Sequence, residues 1–571
     1  MISFNLPSRF SLALSIVLAA SQVLEADVKM PAIFGDHMVL QEGMKLPVWG
    51  TADPGEKVVV AIGTETGSAE ADKDGKWKIE LAPISESSSP LSLQVTGRNT
   101  LNFTDVVIGD VWVCSGQSNM VFQMKRSNNG QADIAQANDP GLRLFLVGRK
   151  ISVQPLTDVG GHWQLCSPES VPDFSAVGYY FGREMRSTLK HPVGLIGTYW
   201  GGTSAAAWTS LSGLQKEPSL QHFVDDYNKA LANYPAASVA YPAQFTAYQA
   251  ELTKWNEEYG NTLEKQLKEW DVAVKAAQAA GQPLPPKPGA SQKKPHQPTG
   301  PDGSANSPTV LFNAMLSPLI PYAIKGVLWY QGEQDANSPF EYHTLFTRMI
   351  ADWRQRWGEE NFPFIYVQLP RYKGYGPNPP QTWPYLREAQ LQTLTTSNTA
   401  MASAIDIGDP NNIHPPDKLD VGLRLAQAAK HLAYGMHVVY SGPIYSSMKI
   451  EGSSVRVQFT QTGSGLIIGT APWRPPGIPA ITDANLVGFS LAGADQKWFP
   501  ANARIDGMGV VVSCPEVPQP VAVRYGWANA PEVNLYNKEG LPASPFRSDD
   551  WVDSSILTVN PTDPPNTPGT P

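Results

Sequence analysis

Short apolar runs between about residues 106 and 440 alternate with stretches of helical periodicity. Three of these runs are Val193–Gly197, Gly326–Tyr330 and Phe364–Gln368. They are apolar at successive positions, which is typical of strands that are buried on both faces of a sheet. Strands of this kind that alternate with helices predict an α/β domain with a doubly wound, mostly parallel sheet.

The segments on either side of this region have a different pattern. Residues 27 to about 105 contain short strand-like runs such as Lys57–Ile62, and residues 441 to about 558 contain runs such as Ser454–Phe459. Turn residues separate these runs, and Asp74-Gly75 is a favourable hairpin turn. Such spacing predicts a β-sandwich at each end of the α/β domain.

An insertion interrupts the α/β region at about residues 211–307. Apolar residues from Phe245 to Val274 recur every three or four positions, so they share one face of a helix that can break into a hairpin at Gly260. We expect this face to pack against the α/β domain, with a substrate platform or a partner surface as the alternative. The stretch Gln282–Ser307 is rich in proline and lysine, and we expect it to be mobile.

The composition excludes several classes of protein. A chain of 571 residues exceeds a single core, so two to four domains are expected. The net charge of −9 argues against nucleic acid as a partner, because binding to phosphate relies on clustered lysine and arginine. The three cysteines, Cys114, Cys166 and Cys514, are odd in number and match no zinc spacing, so neither a disulfide framework nor a metal or other cofactor is predicted.

Both ends of the chain carry segments that lie outside these domains. Residues 1 to about 26 have the pattern of a secretory signal peptide, with Arg9, an apolar core at Phe10–Ala20 and small residues at Ala19-Ala20-Ser21. This predicts export to the periplasm or the extracellular space. No later run is long enough to span a bilayer, so no membrane segment is expected in the mature chain. Residues 559–571 are rich in proline and threonine and are predicted to be disordered.

Two residues, Ser118 and His414, indicate the chemistry. Ser118 stands at a small polar turn directly after the apolar run Val111–Cys114, and His414 precedes the helical stretch Val421–Met436. A serine hydroxyl is a poor nucleophile unless a nearby imidazole accepts its proton. A doubly wound sheet brings the carboxyl ends of distant strands to one edge, so the two residues can meet there. Together they predict a serine esterase.

Four separated blocks of the sequence extend this prediction. They are Gly116–Met120, Trp200–Thr203, Trp329–Glu333, and Ile413–Pro415 followed by Lys418 and Val421-Gly422. In this order the blocks resemble the sialate O-acetylesterase family, which belongs to the SGNH hydrolases. The resemblance runs from about Val28 to about Trp551. It implies an SGNH-hydrolase fold whose blocks supply a serine, two oxyanion-hole groups and a histidine.

The resemblance also implies the roles of individual residues. Ser118 would be the nucleophile, its backbone N–H one oxyanion donor, and His414 the general base. Gly202 would supply a second donor, because glycine lets its backbone N–H approach the oxyanion without obstruction. Gln331 stands in the block where SGNH hydrolases normally carry an asparagine, and it can donate a side-chain N–H from a longer arm.

The acid that orients His414 is the weak point of this assignment. Related chains often carry an aspartate two or three residues before the histidine, where this chain has Asn412 and Asn411. We assign Asp409 to this role; the alternatives are a backbone carbonyl in a Ser-His dyad, or low activity. Glu333 is expected to support the site by orienting a neighbouring group or an arginine, or else to cap the following helix.

These observations predict an exported, metal-independent carbohydrate O-acetylesterase that needs no cofactor. Its partner would be an acetylated sugar or glycan, such as a sialic acid, acetylated xylan or another acetylated polysaccharide. The alternative is a non-catalytic glycan-binding protein on a degenerate esterase scaffold, which Asn412 and the aromatic content of 16 Trp and 20 Tyr favour. Release of acetate from a small aryl acetate distinguishes the two.

Overall fold

The structure is a computed structural model. It describes residues 27–280, 282–283, 285–289, 292–359, 361–374, 376, 378–474, 485–553 and 556. The predicted signal peptide and the predicted disordered tail lie outside these residues. Within the described residues, no helix combines the length and the apolar character that crossing a membrane requires.

The strands fall into three groups along the chain. The first group is β1 (Val39–Gln41), β2 (Leu46–Thr51), β3 (Lys57–Ile62), β4 (Glu65–Glu70), β5 (Lys76–Leu81), β6 (Ser87–Thr96) and β7 (Thr100–Gly116). The second is β8 (Asp139–Leu146), β9 (Trp163–Cys166), β10 (Val193–Tyr199), β11 (Gly326–Tyr330), β12 (Phe364–Gln368) and β13 (Thr399–Ser403). The third is β14 (Ile444–Glu451), β15 (Ser454–Thr460), β16 (Leu466–Ile468), β17 (Phe489–Ala492), β18 (Trp498–Pro500), β19 (Asn502–Asp506), β20 (Gly509–Ser513), β21 (Ala522–Tyr525), β22 (Leu535–Asn537) and β23 (Phe546–Arg547).

The α-helices lie between the end of the first group of strands and the start of the third. They are α1 (Ser118–Val121), α2 (Gly130–Ala135), α3 (Ala176–Leu189), α4 (Leu211–Leu214), α5 (Gln221–Trp255), α6 (Asn261–Ala279), α7 (Pro339–Trp357), α8 (Trp383–Gln392) and α9 (Leu419–Tyr434).

The centre of the molecule is a sheet with the strand order β13-β12-β11-β7-β10-β8-β9. Every neighbouring pair is parallel except β8 and β9 at one edge, which are antiparallel. Strands β10, β11 and β12 are buried at every position, which explains their continuous apolar sequence. The predicted α/β architecture with further β-sheet regions is confirmed.

Strand β7 joins the N-terminal strands to the central sheet. Its first half pairs with β6 and β1, and its second half pairs with β10 and β11. The boundary predicted at residues 105 and 106 therefore lies inside one continuous strand. Buried residues of both regions, such as Val60 and Val113, belong to one hydrophobic core, so the N-terminal strands are packed firmly against the α/β body.

The C-terminal strands form two four-stranded antiparallel sheets and one two-stranded sheet, β16-β22. One has the order β14-β15-β20-β19 and the other β18-β17-β21-β23. Strand β15 alternates buried and accessible residues, as a strand with one face in a core must. Val457 and Val512 of the first sheet share a separate core with Leu491, Val523 and Phe546 of the second.

The insertion is a long helical arm. Helix α5 passes through a single π-helical segment, Asn256–Gly260, into α6, and the backbone on both sides of the segment keeps right-handed helical angles. The prediction of a hairpin at Gly260 is therefore wrong. A π segment inserts an extra residue into a helix without reversing its direction.

Described residues of the proline-rich stretch contact the aromatic face of this arm. Trp270 Nε1 donates to the carbonyl of Pro285 at 2.8 Å, and Trp255 Nε1 donates to the carbonyl of Gln292 at 3.1 Å. Of α5, the buried residues are Val224 and Tyr227, which lie near its start. The expectation that this face packs on the α/β domain is thus corrected, and the mobility expected of the stretch stays a prediction. Proline has no backbone N–H to satisfy, so a proline-rich segment can lie against aromatic rings at little cost.

Candidate active site

Ser118 stands where strand β7 turns into helix α1. Gly116, the last residue of β7, has φ +134°, and a Cβ there would lie 2.2 Å from the carbonyl oxygen of Tyr330 at the end of β11. Only glycine therefore permits the two strand ends to approach so closely. Gln117 N–H donates to the same carbonyl, and Ser118 follows, half-buried, at the carboxyl edge of the parallel sheet.

His414 meets Ser118 at this edge, as predicted. Its Nε2 lies 2.8 Å from Ser118 Oγ. Two contacts shape the loop that carries it: Asn119 Nδ2 donates to the carbonyl of Ile413 at 3.0 Å, and Asn412 Oδ1 accepts the backbone N–H of His414 at 2.9 Å. If the serine hydroxyl donates to Nε2, the ring proton sits on Nδ1, an assignment inferred from the hydrogen bond.

The surroundings of His414 disfavour its charged form. Burial, together with the smaller effect of the nearby cations Lys418 and Arg126, lowers the pKa of the imidazole to about 4. Among the described residues, no carboxylate forms a hydrogen bond with the ring. The Asp409 carboxylate instead accepts the backbone N–H of Asn411 at 2.8 Å, inside a tight turn. This corrects the assignment of Asp409 as the orienting acid.

The loop after β10 carries the predicted second oxyanion donor. Gly202 has φ +71°, and no atom lies within 4 Å of the place where a Cβ would be, so its backbone is accessible. The side chain of Asn306 holds this loop from outside: it donates to the carbonyl of Gly202 at 2.7 Å and accepts the N–H of Ser204 at 2.8 Å. Asn306 is the penultimate residue of the stretch Gln282–Ser307, and nothing in the sequence indicates this role.

Gln331 does not offer its amide to the site. The side chain is fully buried, and its Nε2 donates to the carbonyl of Thr203 at 3.0 Å and to the Asp335 carboxylate. Its Oε1 accepts the hydroxyl of Tyr342 at 3.0 Å. Both N–H groups are therefore in use, which corrects the assignment of Gln331 as an oxyanion donor. Its observed contacts hold the loop that contains Gly202.

Gln117, directly before the nucleophile, has the free amide that Gln331 lacks. Its Oε1 accepts the backbone N–H groups of Gly332 and Gln334 at 3.4 and 3.1 Å, which fixes the side chain. Its Nε2 donates to no residue in the part of the chain that the structure describes. The side chain is largely buried, but this nitrogen stays accessible to water or a substrate as its acceptor. Gln117 stands in the first of the four sequence blocks, and nothing in the sequence predicts this role for it.

A buried polar chain connects Glu333 to the histidine loop. Glu333 Oε1 accepts Asn119 Nδ2 at 2.5 Å, and Asn119 Oδ1 accepts Lys418 Nζ at 2.6 Å. Burial raises the pKa of Glu333 and lowers that of Lys418 to about 7. Glu333 therefore orients a neighbouring group, Asn119, whose second N–H holds the carbonyl of Ile413.

One group of side chains has the composition of a metal site. Ligand atoms of Glu42, Asp110 and His191 lie within 4.8 Å of one another. The Asp110 carboxylate, however, accepts hydrogen bonds from His191 at 2.9 Å, Tyr434 at 2.7 Å and Gln41 at 2.9 Å. Its oxygens are already paired within the protein, so we interpret the group as a buried hydrogen-bond network that binds β7 to its neighbours.

Comparison with known proteins identifies relatives of this chain. A family model described as a carbohydrate esterase, sialic acid-specific acetylesterase, matches residues 309–431. The sialate O-acetylesterase of Mus musculus is 26% identical over 94% of this chain and 97% of its own length. That of Homo sapiens is 28% identical over 94% of this chain and 95% of its own length.

A solved structure agrees with these relatives. It is that of a carbohydrate acetylesterase from Xanthomonas citri, which is 32% identical and superposes with a TM-score of 0.72. The similarity covers 92% of this chain and 100% of that one. Sequence and fold thus agree over nearly the whole length. The chain is an esterase, and it belongs to the sialate O-acetylesterase-like family of carbohydrate acetylesterases.

Proposed function

We propose that this protein hydrolyses acetyl esters on sugars with a Ser118–His414 dyad. The observation that carries the proposal is the 2.8 Å contact between Ser118 Oγ and His414 Nε2 at the carboxyl edge of the sheet. Ligands of open α/β sheets bind outside this edge, where the strand order changes direction. Ser118 follows β7, the strand from which the sheet extends to both sides.

The first half of the reaction forms an acetyl-enzyme. Ser118 Oγ attacks the acetyl carbonyl carbon while His414 Nε2 accepts the hydroxyl proton. The carbonyl oxygen becomes an oxyanion, and the backbone N–H groups of Ser118 and Gly202 and the Nε2 of Gln117 stabilise it. The tetrahedral intermediate then collapses. The bond to the sugar oxygen breaks, and that oxygen leaves with the proton that His414 had accepted.

The second half releases acetate. A water molecule gives a proton to His414 Nε2 as its oxygen attacks the acetyl carbon, and the same three donors stabilise the new oxyanion. Collapse of this intermediate breaks the bond to Ser118 Oγ, which takes the proton back from His414. The free enzyme and acetic acid result, and the acid ionises in water.

The charged groups around the site stabilise a negatively charged oxyanion and disfavour a positively charged His414 ring on its own. Lys418 and Arg126 both disfavour a positive charge on His414. The same cations favour a negative charge on a nearby substrate oxygen. No carboxylate offsets them at the ring among the residues that the structure describes, so the oxyanion itself would be the partner that stabilises the imidazolium in the transition state. This supports a dyad in place of a triad.

The order of the functional blocks supports assignment to the SGNH type. Serine, glycine loop and histidine follow one another along the chain as that type requires, with Gln117 replacing the side-chain donor of the third block. Residues 1 to about 26 have the pattern of a signal peptide, so we propose that the enzyme is exported to the periplasm or the extracellular space.

Acetate release from acetylated sugars tests this function. The purified protein is expected to release acetate from an O-acetylated sialic acid, from acetylated xylan, or from both, and their relative kcat/KM values identify the preferred sugar. EDTA should leave the rate unchanged, because no step requires a metal. A protein that binds these sugars but releases no acetate would instead be the glycan-binding alternative.

Activity is expected to persist well into the acid range. The general base must be neutral, and burial lowers the pKa of His414 to about 4. We therefore expect kcat/KM for a small aryl acetate to stay level from neutral pH to about pH 5 and to fall below that. Arg126→Gln removes an exposed cation near His414, so the fall of kcat/KM at acid pH should move to higher pH. A limb centred at the ordinary histidine value of 6.5 would contradict the assignment.

The same pKa shift has a consequence for stability with a definite sign. Unfolded His414 takes up its proton near pH 6.5, whereas the folded protein keeps the ring neutral down to about pH 4. The unfolded state therefore binds more protons between these values, and the contribution of His414 to the free energy of unfolding falls as the pH falls through this window.

A further inference from the structure

A cavity of about 690 Å³ lies between the N-terminal strands and the α/β body. Strands β2 and β5 line one side, and residues 156–158 and 317–321 line the other. The second of these segments precedes β11, so it lies at the amino edge of the parallel sheet, whereas Ser118 lies beyond the carboxyl edge. The length of a five-residue strand, roughly 15 Å, separates the two edges. The cavity is therefore distinct from the site at Ser118.

Strand pairing places a row of polar side chains along one wall of this cavity. Lys29 bridges to Thr51, and Thr51 lies opposite Lys76, so the three residues share one face. Lys29 and Lys76 are exposed, and neither forms an ion pair with a described residue. Lysine that is not paired within the protein is available to an anionic group of a ligand.

The same face presents a tryptophan. Trp49 lies two residues before Thr51 and therefore points to the same side of β2. Its ring meets Phe34 edge-on, with ring centres 4.8 Å apart, so its orientation is set before any ligand arrives. Gly50, between Trp49 and Thr51, points to the opposite side of β2. A Cβ there would lie 2.2 Å from the carbonyl oxygen of Lys29 and 2.8 Å from the ring of the buried Trp77, so glycine lets these groups pack closely behind the cavity wall.

The opposite wall completes an arrangement suited to a saccharide. Pro318 and Leu156 are apolar, and Asp158 lies beside them. Asp158 Oδ1 accepts the N–H of Ala32 at 2.7 Å, and its other oxygen has no partner among the described residues. The apolar face of a sugar ring can pack on an indole while its hydroxyls bond to carboxylate and ammonium groups at the edge.

We propose that this cavity is a second glycan-binding site, which holds an oligosaccharide that carries carboxylate groups. Lys29 and Lys76 are the groups that would pair with those carboxylates. The lining also contains Asp72, which accepts the backbone N–H groups of Asp74 and Lys76 and, like Asp158, would accept sugar hydroxyls. The proposal rests on the proposed function in one respect: the bound chain would be part of the acetylated glycan whose esters are cleaved at Ser118. Attachment at a second site raises the effective concentration of those esters at the first.

Binding measured without turnover tests the proposal. Ser118→Ala protein is titrated with an unacetylated hexasaccharide of a uronic acid and with a neutral hexasaccharide of xylose, and heat of binding is recorded at low and high salt. The acidic hexasaccharide is expected to bind more tightly than the neutral one, and high salt is expected to reduce this difference in affinity. Adding Lys29→Gln and Lys76→Gln together should weaken its binding about tenfold, as should Trp49→Ala, while Trp49→Phe should retain most of the affinity.

Matched controls separate this site from the catalytic one. Lys57→Gln removes an exposed lysine of the neighbouring strand β3 and should leave binding unchanged. In protein that retains Ser118, the cavity variants should turn over a small aryl acetate at the normal rate. If Trp49→Ala fails to fold, the lysine pair still decides the matter. The proposal is overturned if the acidic chain does not bind, or if it binds equally well to the lysine variant. Neither result depends on acetate release, so failure of the proposed function remains distinguishable.

Discussion

Ser118→Ala is expected to lower kcat by about 10⁴-fold while leaving the fold intact. Removing the serine of a complete triad costs about 10⁶-fold. A site without a carboxylate at the histidine starts from a lower rate, so the loss here should be smaller. The hydroxyl is half-buried and makes one side-chain hydrogen bond, so its removal should change the free energy of unfolding by about 1 kcal/mol at most. Acetate release and thermal unfolding of the two proteins measure both effects.

A double variant makes this test specific for a dyad. His414→Ala alone should cost about as much as Ser118→Ala, and the two together should cost little more than either, because residues that act as a unit are not additive. If the two losses multiplied, the residues would be acting independently. Turnover close to that of the unmodified protein in Ser118→Ala would exclude Ser118 as the nucleophile.

Gln117→Glu is expected to lower kcat by about 10²- to 10³-fold, the usual cost of losing one oxyanion donor. The carboxylate that replaces the amide has the same shape and still accepts from the backbone N–H groups of Gly332 and Gln334. It has no N–H to donate, however, and its charge would repel the oxyanion. The fold should therefore survive and KM should change less than kcat.

Gln331→Met is the matched control. It removes the donors to Thr203 and Asp335 from a fully buried position, so the main effect should be a loss of about 1–3 kcal/mol in the free energy of unfolding. Turnover by the folded fraction should fall less than in Gln117→Glu. The opposite result, in which Gln331→Met abolishes turnover at an unchanged unfolding temperature and Gln117→Glu is active, would restore Gln331 as the donor.

The two glutamines show where prediction from sequence succeeds and where it fails. Both stand in short blocks at strand ends, so both are correctly expected near the site. Which of them has a free amide depends on partners far away in the chain. Gln331 meets Thr203 and Tyr342, whereas Gln117 meets only backbone N–H groups through its oxygen. Sequence spacing contains no information about such partners.

The helical arm shows the same limit in packing. The spacing of its apolar residues correctly indicates a helix with one aromatic face. The segment that contacts this face is set by the direction the chain takes after the helix. Here residues of the proline-rich stretch contact it, as the hydrogen bonds of Trp255 and Trp270 show.

The parallel sheet, the β-sheet regions at its sides, and the pairing of Ser118 with His414 all follow from local patterns in the amino-acid sequence. The periodicity of apolar residues indicates which helices and strands are buried. A serine at a strand end, together with a histidine that can accept its proton, indicates serine-hydrolase chemistry. Tertiary structure alone decides that the Asp409 carboxylate bonds within its own turn, that the Gln331 amide is taken up by Thr203 and Asp335, and that Asn306 bonds to the glycine loop. The physical reason is that a hydrogen bond depends on an atom's position within a few tenths of an ångström, and the packing of distant segments sets that position.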